Sequence, residues 1–266
     1  MHHSLCLLLS ILPASHMPFD NQTEKWKRFG LRLKEVREAE AHTTQGQVGR
    51  ELDLSTSTVA MIEQGNRPPL SRGHIVRFVQ LHRIWPPLSD DLLRLAGHDA
   101  DRTPEEELHI QRNFAFTDLF VFARHILEPT GVWYDVVLHN LRERRIRYCY
   151  LTSDPGQFFE LRQRLQEDAG LDSHFIDTML ECIALPEQLF VSNFALYKHE
   201  GGVYCCGTKR DDSGRAIAFY TKAPEDAKRL HEQLLQWIGA VHEGRPIHLG
   251  KATRVHPKKS ESVFVS

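Results

Sequence analysis

The stretch that most constrains the fold of this chain covers residues 44–67, TQGQVGRELDLSTSTVAMIEQGNR. Val48 and Leu52 are four positions apart, and further along Val59 and Ile62 are three apart. Apolar residues spaced in this way lie on one face of a helix. The stretch therefore predicts two short helices, joined by a tight turn and packed through their apolar faces.

The boundaries of both predicted helices carry residues that suit helix ends. Thr44 and Ser55 each precede a helix, where a hydroxyl oxygen accepts a main-chain N–H that has no partner inside the helix. Gly65 follows the second helix and readily adopts the left-handed conformation that ends helices. Pro68 and Pro69 then prevent the helix from continuing.

The second predicted helix packs through one face, which leaves its other face free for contacts. That face begins with Thr56 and Ser57 and continues one turn later with Met61. A helix held by its back, with small polar residues at its N-terminal end, suits the major groove of DNA. The positive end of its dipole also favours phosphates. A second interpretation makes Met61 a core residue.

Together with its flanks, this stretch resembles the helix-turn-helix of the XRE family, the phage-repressor and Cro-like transcriptional regulators. The resemblance rests on the Thr44-Gln45 start, the SxSTV run at 55–59 and the IEQGNRP run at 62–68. Upstream, FGxRLKxVRE at 29–38 resembles the first helix of that family. These matches fall within residues 26–84, about a quarter of the chain.

The resemblance implies an all-α, five-helix, lambda-repressor-like domain with a partly buried ion pair between Arg37 and Glu63. Two positions depart from the family pattern. Asp53 stands in the turn where Gly is usual, and Asp tolerates the left-handed backbone better than most residues. Gly49 replaces the usual Ala, which permits close packing at a cost of roughly 1 kcal/mol in helix propensity.

We predict that the DNA contacts come from the two helices and the residues just after them. The amide of Gln45 is placed to touch a phosphate and fix the register of the second helix, although a merely solvated helix start is the alternative. Hydroxyls at the start of the second helix and the Met61 thioether are expected to meet base edges and a thymine methyl. The full predicted set is Gln45, Ser55, Thr56, Ser57, Thr58, Met61, Asn66 and Arg67.

Charge is distributed unevenly along the chain. Residues 24–83 contain 11 Lys and Arg against 7 Asp and Glu, a balance of +4 in a protein whose net charge is −2. The remaining residues therefore carry −6. A basic N-terminal part followed by an acidic part is expected where the N-terminal part alone binds DNA. A difference of a few charges also arises by chance.

The five cysteines, Cys6, Cys149, Cys182, Cys205 and Cys206, include no CxxC pair. This spacing argues against a zinc site and for reduced thiols in a cytoplasm. Because side chains alternate along a strand, we expect one of Cys205 and Cys206 in the core and the other exposed. A redox switch at this pair is an alternative role.

Residues 1–23 are predicted to be a disordered extension or one wrongly assigned to the chain. The apolar run at 5–12 is too short to span a bilayer, and no Lys or Arg precedes it as in a signal peptide. We expect translation to start at Met17 rather than Met1. We also expect a cytoplasmic protein with no membrane segment.

The remaining chain is predicted to be multidomain, with a helix-turn-helix domain at 24–98 and a hinge with a hydrophobic connecting helix at 99–128. The helix is inferred from the dense apolar residues between Phe114 and Leu127. It is interpreted either as a dimerisation helix or as the central helix of the second domain, because a helix that is apolar nearly all round is buried on several sides.

Residues 129–246 are predicted to form a mixed α/β (α+β) domain for dimerisation or ligand sensing, followed by a disordered tail at 247–266. Its strand and helix patterns suggest a mixed sheet covered on one face. They resemble no known family.

No catalytic motif stands out in the second domain. A phosphate-binding loop and the GxSxG, HExxH and HxKxxxxD patterns are all missing from the sequence. The run Thr152-Ser153-Asp154, between a strand and a helix, is either a small-ligand or anion site or an ordinary helix cap. We therefore expect no enzyme and no cofactor.

The sequence thus favours a repressor-like transcriptional regulator that binds double-stranded DNA as a homodimer on an inverted repeat. Its second domain would dimerise or sense a small-molecule effector. The alternative is an antitoxin-like or other protein-binding module that also binds DNA and uses the hydrophobic helix as its partner surface.

Overall fold

The chain divides into two units, Met1–Ala100 and Asp101–Ser266. The computed structural model describes residues 20–124, 126, 131–212, 215–245 and 247. An all-α unit followed by a unit built on a mixed sheet confirms the predicted fold class. The predictions for residues 1–19 and 248–266 lie outside the described residues.

The first unit contains the five predicted helices. They are α1 (Asp20–Ala39), α2 (Gln45–Glu51), α3 (Thr56–Glu63), α4 (Arg72–His82) and α5 (Pro86–Ala96). The first helix begins at Asp20, so residues 20–23, which the sequence assigned to a disordered extension, belong to it. The fifth begins at Pro86, because proline is tolerated in the first turn of a helix.

The core of the first unit is formed by the apolar faces that the sequence predicted. Val48, Leu52, Val59 and Ile62 are all buried, with exposures of 5% or less. They pack in one cluster with residues of α1, α4 and α5, which include Phe29, Leu33, Val36, Ile75, Phe78 and Leu92. This shared core holds α3 by its inner face and leaves its outer face to solvent.

The second unit alternates helices and strands. Its elements are α6 (Pro104–Asn113), β1 (Asp118–Phe122), α7 (Gly131–His139), β2 (Arg147–Thr152), α8 (Gly156–Glu167), α9 (Ser173–Met179), β3 (Leu180–Ala184), β4 (Phe194–His199), β5 (Gly202–Arg210), β6 (Ala216–Thr221) and α10 (Pro224–His242). A π-helical turn, Asn140–Arg144, follows α7, and a 3-10 turn, Glu187–Leu189, precedes β4.

The strands of the second unit form one mixed sheet in the order β3-β2-β1-β4-β5-β6. β1, β2 and β3 are parallel, whereas β4, β5 and β6 are antiparallel to their neighbours. One face packs against the apolar side of α10. On the other face, Gln111 of α6 donates to Tyr197 of β4, and Asn140 donates to Tyr148 of β2. Helices therefore cover both faces, where the sequence predicted cover on one.

The predicted hydrophobic connecting helix at 99–128 is wrong. The helix α6 ends at Asn113, and residues Asp118–Phe122, which are apolar from Leu119 onward, form the strand β1 inside the sheet. A strand covered on both faces is apolar at successive positions, so its sequence cannot be distinguished from that of a buried helix by periodicity. The sequence of residues 173–184 also predicts a single helix, but the segment divides into α9 and β3, because no turn signal marks the boundary between them.

The adjacent cysteines of β5 also depart from expectation. Cys205 and Cys206 are both buried, with exposures of 0% and 1%. They point to opposite faces of the sheet, and each face is covered by helices. Burial raises the pKa of Cys205 to about 12 and raises that of Cys206 well above its usual value. Neither thiol has the exposure or acidity that a redox switch requires.

Candidate nucleic-acid interface

The corner between α2 and α3 is built by the caps that the sequence predicted. The Thr44 hydroxyl accepts from the main-chain N–H of Gln47 at 3.2 Å, and the Ser55 hydroxyl accepts from that of Thr58 at 3.0 Å. Asp53 adopts a φ of 57°, the left-handed conformation that the turn demands. These features fix the start of α3 relative to α2.

A close approach of the two helices explains the glycine in α2. A Cβ added at Gly49 would lie 2.7 Å from the carbonyl oxygen of Leu54, shorter than any normal contact. Any other residue at this position would push the turn away from α2. Gly49 therefore sets the distance between α2 and the N-terminal end of α3.

The outer face of α3 is exposed and carries hydroxyls. Thr56 and Ser57 are exposed, and Met61 is 40% exposed, which excludes the interpretation of Met61 as a core residue. The Ser55 hydroxyl lies 2.9 Å from that of Ser57 and 2.8 Å from that of Thr58. We call Ser55, Ser57 and Thr58 the hydroxyl cluster. It lies at the N-terminal end of α3, where the helix dipole is positive.

Behind this face lies a buried ion pair that joins α1 to α3. Arg37 donates through Nε to Glu63 at 2.6 Å and through Nη2 at 3.1 Å, and it also donates to the main-chain oxygen of Thr43 at 2.8 Å. The hydrogen bonds to Glu63 raise the pKa of the Arg37 guanidinium above its usual value. The pair is structural, as the resemblance implied.

Gln45 is tied to the same ion pair. Its Nε2 donates to Glu63 Oε2 at 2.7 Å, and its side chain is half-buried. The Glu63 carboxylate of α3 thus binds both α1, through Arg37, and the start of α2, through Gln45. The predicted phosphate contact of Gln45 stays a prediction, and in this geometry it would use the second N–H of the amide.

Asn66 and Arg67 lie just beyond α3 and are exposed. Asn66 donates to the Gln64 side chain at 3.1 Å. Arg67 Nη1 lies 3.5 Å from the Thr58 hydroxyl, which places a cation beside the hydroxyl cluster. The structure thus brings Arg67 and the α3 residues of the predicted set to one surface, while Gln45 lies next to the ion pair.

Arg50, on the exposed side of α2, was not among the predicted residues. Its Nη1 and the Thr56 hydroxyl lie 4.0 and 3.5 Å from the position that a Cβ on Gly46 would take. It therefore adds a second cation near the start of α3. A basic residue two positions after the buried Val48, on the exposed side of the helix that leads into α3, was the signal available in the sequence.

The run Thr152-Ser153-Asp154, at the end of β2, has the geometry of an ordinary helix cap. The Thr152 hydroxyl donates to the main-chain oxygen of Arg124 at 3.0 Å and accepts from the Asp154 N–H at 3.1 Å. The Asp154 carboxylate accepts from the Gly156 N–H at 3.0 Å. Side chains of the run itself thus occupy these N–H groups, which favours the capping interpretation over an anion site.

A buried polar network occupies the second unit. Arg102 donates to Glu107 at 3.0 Å and to the Thr221 hydroxyl at 3.0 Å, and it also bonds Tyr204. Glu107 in turn accepts from the Tyr197 hydroxyl. Burial, followed by the charge of Glu107, raises the pKa of Tyr197 well above its usual value. This network fastens the segment before α6 to the sheet.

Neither a metal cluster nor a membrane span is found in the described part of the chain. No group of three or more His, Cys, Asp or Glu residues there is arranged to hold a metal ion. The described helices include none that is long and apolar enough to cross a membrane.

Comparison with protein families assigns the first unit to a known class. Residues 28–92 match the model of a helix-turn-helix domain. This match includes α2, α3 and the corner between them, so the first unit is a helix-turn-helix domain. Domains of this class place their second helix in the major groove, and the match therefore indicates DNA binding.

The wider comparisons identify no further relationship. Curated protein sequences give no match. A solved structure of an uncharacterized ACR superfamily protein from Burkholderia thailandensis is 14% identical, over 80% of this chain and 54% of that one, with a TM-score of 0.19. The chain thus spans about half the length of that protein. A TM-score this low does not indicate a shared fold.

Proposed function

We propose that this protein is a sequence-specific transcriptional regulator of the XRE family that binds double-stranded DNA through α3. The observation that carries the proposal is the exposed hydroxyl and thioether surface of α3, which is held from behind by the Arg37–Glu63 pair. Thr56, Ser57 and Met61 would face base edges, because all three are exposed while Val59, Ile62 and Glu63 of the same helix are buried.

Phosphate contacts would come from the residues around that surface. Arg50 lies near Thr56 and Arg67 lies near Thr58, both at the N-terminal end of α3, and a cation beside a helix N-terminus favours a phosphate. Short hydroxyls give fewer bidentate base contacts than Arg, Asn or Gln. Specificity per half-site is therefore modest, and a regulator of this kind gains selectivity by binding two half-sites.

The need to bind two half-sites supports a homodimer that binds an inverted repeat. We propose that this homodimer is cytoplasmic and represses transcription. The second unit would supply dimerisation and effector sensing. A small cleft within that unit, lined by Trp133, Phe219, Asn193 and Arg210, is the candidate effector site. A few polar groups in a largely apolar cleft are typical of small-molecule sites.

We also propose that the protein is not an enzyme. The antitoxin-like alternative has less support than at the level of sequence, because it relied on an exposed hydrophobic helix. The residues concerned form β1, where Leu119, Val121 and Phe122 are buried within the sheet.

Selection of duplexes from a random pool by the full-length protein tests the proposal. We expect enrichment of an inverted repeat with half-site centres about 34 Å, or one helical turn, apart. Arg67→Ala should weaken binding to every duplex, and the matched control Arg229→Ala, an exposed arginine on α10, should leave it unchanged. A pool that stays random after several rounds would overturn the proposal.

A further inference from the structure

The two edge strands of the sheet differ in whether another segment of the chain pairs with them. At β6, Arg102 pairs with Phe219: its N–H donates to the Phe219 oxygen at 2.8 Å, and the Phe219 N–H donates back at 2.9 Å. This bridge occupies the middle of the β6 edge. The opposite edge is formed by β3, the other end strand in the sheet order.

Main-chain groups of β3 point away from the sheet at alternate residues. Leu185 donates to the Thr152 oxygen of β2 at 2.9 Å, so Ile183 and Glu181 face β2 as well. Because successive residues of a strand alternate in this direction, Cys182 and Ala184 face outward. Within the described part of the chain, no main-chain hydrogen bond reaches these two residues from outside the sheet.

An apolar surface accompanies this edge. Phe159 of α8 is 59% exposed, and it borders an open cleft of about 430 Å³ beside β3 that Leu180 and Cys182 also line. The rim of the cleft carries one cation and one anion, Arg162 and Asp177, whose side chains are 2.7 Å apart. An edge strand with outward main-chain groups next to an exposed aromatic residue is a place where another strand binds.

We propose that a second copy of this chain pairs antiparallel with β3 across a two-fold axis at Cys182. The inference rests on the proposed homodimeric regulator and names its dimer interface. In this register Cys182 and its counterpart exchange both main-chain hydrogen bonds, and the Ala184 N–H of each copy donates to the Leu180 oxygen of the other. The clefts beside Phe159 of the two copies then lie on the same face of the continuous sheet, one on each side of the two-fold axis.

Several observations favour a second copy as the occupant. An antiparallel pair about a two-fold axis is isologous, so each β3 supplies what the other lacks. The Arg102 bridge at β6 hinders head-to-tail pairing of β3 with β6, which would build filaments. Centring the axis on Glu181 instead would set two carboxylates opposite each other, which destabilises a strand pair. The rim charges of Arg162 and Asp177 balance, so two copies meet without net repulsion.

Variants at the two edges of the sheet test the interface by sedimentation equilibrium. Ala184→Pro removes an outward N–H and leaves the bonds to β2 in place, and Phe159→Glu puts a charge into the interface. Each should raise the dimer dissociation constant by roughly tenfold or more. The matched control Ile217→Glu, an exposed apolar residue on β6, should leave it unchanged. The same dimer dissociation constant for all three variants would overturn the proposal.

Disulfide crosslinking tests the register of the β3 pair. It does not rely on a substitution in the sheet that could disturb folding. A hydrogen-bonded antiparallel pair has Cα atoms about 5.5 Å apart, within the range that a disulfide bridges. In a Cys6→Ser background, copper phenanthroline should give a covalent dimer through Cys182, the half-exposed cysteine of the described residues. Cys182→Ser should abolish it. A dimer that forms in solution but never crosslinks at Cys182 would contradict the register.

These results separate the interface from the proposed function. A protein that remains monomeric at all concentrations yet selects a DNA sequence refutes the β3 interface and leaves the regulator intact. A protein that dimerises through β3 but selects no DNA sequence supports the interface and refutes the regulator.

Discussion

Both units bury an arginine–glutamate pair, but the two pairs hold different kinds of structure together. The Arg37–Glu63 pair joins α1 to α3, and it also anchors Gln45 at the start of α2. The Arg102–Glu107 pair lies beneath α6 and is bonded to the tyrosines of the sheet. In both, the side chains are less than 10% exposed.

The difference lies in what each pair positions. In the first unit a buried charge pair supports side chains on an exposed surface, so its loss should affect DNA binding as well as stability. In the second unit the pair and its tyrosine partners are buried and Thr221 is half-buried, so its loss should affect mainly stability. The same chemistry therefore serves the proposed function in one unit and the fold in the other.

The largest effect is expected from Arg102→Ala. It leaves Glu107 buried without its cation, which typically costs about 3–5 kcal/mol, and it also removes the bond to the Thr221 hydroxyl. Hydrogen–deuterium exchange should show faster exchange in β4, β5 and β6, with α1 to α5 unchanged. Arg229→Ala serves as the control. Unchanged protection of the sheet would contradict the role assigned to this pair.

Glu63→Ala should have a somewhat smaller effect on stability and an additional effect on DNA binding. Arg37 keeps its bonds to Glu38 at 3.0 Å and to the Thr43 oxygen, so we expect the lower end of the range, about 3 kcal/mol. Gln45 loses its anchor at the same time. Faster exchange in α1 and α3 should accompany weaker binding to a selected duplex. Loss of stability with full DNA affinity would separate the pair from the interface.

Alkaline pH should destabilise the second unit. Burial raises the pKa values of Cys149, Cys205, Cys206 and Tyr197 above their ordinary values of 9.0 for Cys and 10.0 for Tyr. A group whose pKa is raised by folding stabilises the folded state fully below its unfolded pKa. That contribution is lost as pH rises towards the folded pKa, at about 1.4 kcal/mol per pH unit for each group.

Urea titrations at pH values from 8 to 11 would check this expectation. They should measure the free energy of unfolding of the second unit separately from that of the first. All of the cysteines that the structure describes lie in the second unit, so the thiol contribution should be confined to it. A first unit that loses stability equally over the same range would argue against buried thiols as the cause.

A smaller effect is expected from Ser55→Ala, which removes the cap of α3. Loss of such a cap typically costs about 1 kcal/mol. Ser71→Ala removes the corresponding cap of α4, where the hydroxyl accepts from the His74 N–H at 3.3 Å, and it is the matched control. Both should lower the melting temperature, but only Ser55→Ala should also weaken DNA binding, because it breaks up the hydroxyl cluster. An equal loss of DNA affinity in the two variants would show that the hydroxyl cluster is not part of the interface.

The sequence predicted the first unit well because its structure is set by local signals. Apolar spacing, hydroxyl caps at Thr44 and Ser55, and the turn at Asp53 all act within a few residues. The family resemblance added the Arg37–Glu63 pair, which spacing alone could not supply. Residues that face outward on α3 followed directly from the buried residues on its other side.

Much of the second unit could not be predicted in this way. Strand β1 is covered on both faces, so its apolar run was mistaken for a helix, and β3 directly continues α9 without a turn signal. The buried network joins Arg102 to Tyr204 and Thr221, which are 102 and 119 positions away in sequence. Such pairings depend on sheet order, which no local pattern encodes.

The most direct test of the central claim uses Thr56→Ala/Ser57→Ala, with Thr23→Ala on α1 as the control. The ratio of affinity for a selected duplex to affinity for a scrambled duplex is measured by fluorescence anisotropy, and the melting temperature is recorded in parallel. The exposed position of both residues predicts that the double variant loses this preference while its melting temperature stays nearly unchanged. A double variant that still prefers the selected duplex as strongly as the control would contradict the assignment of α3 as the helix that reads DNA.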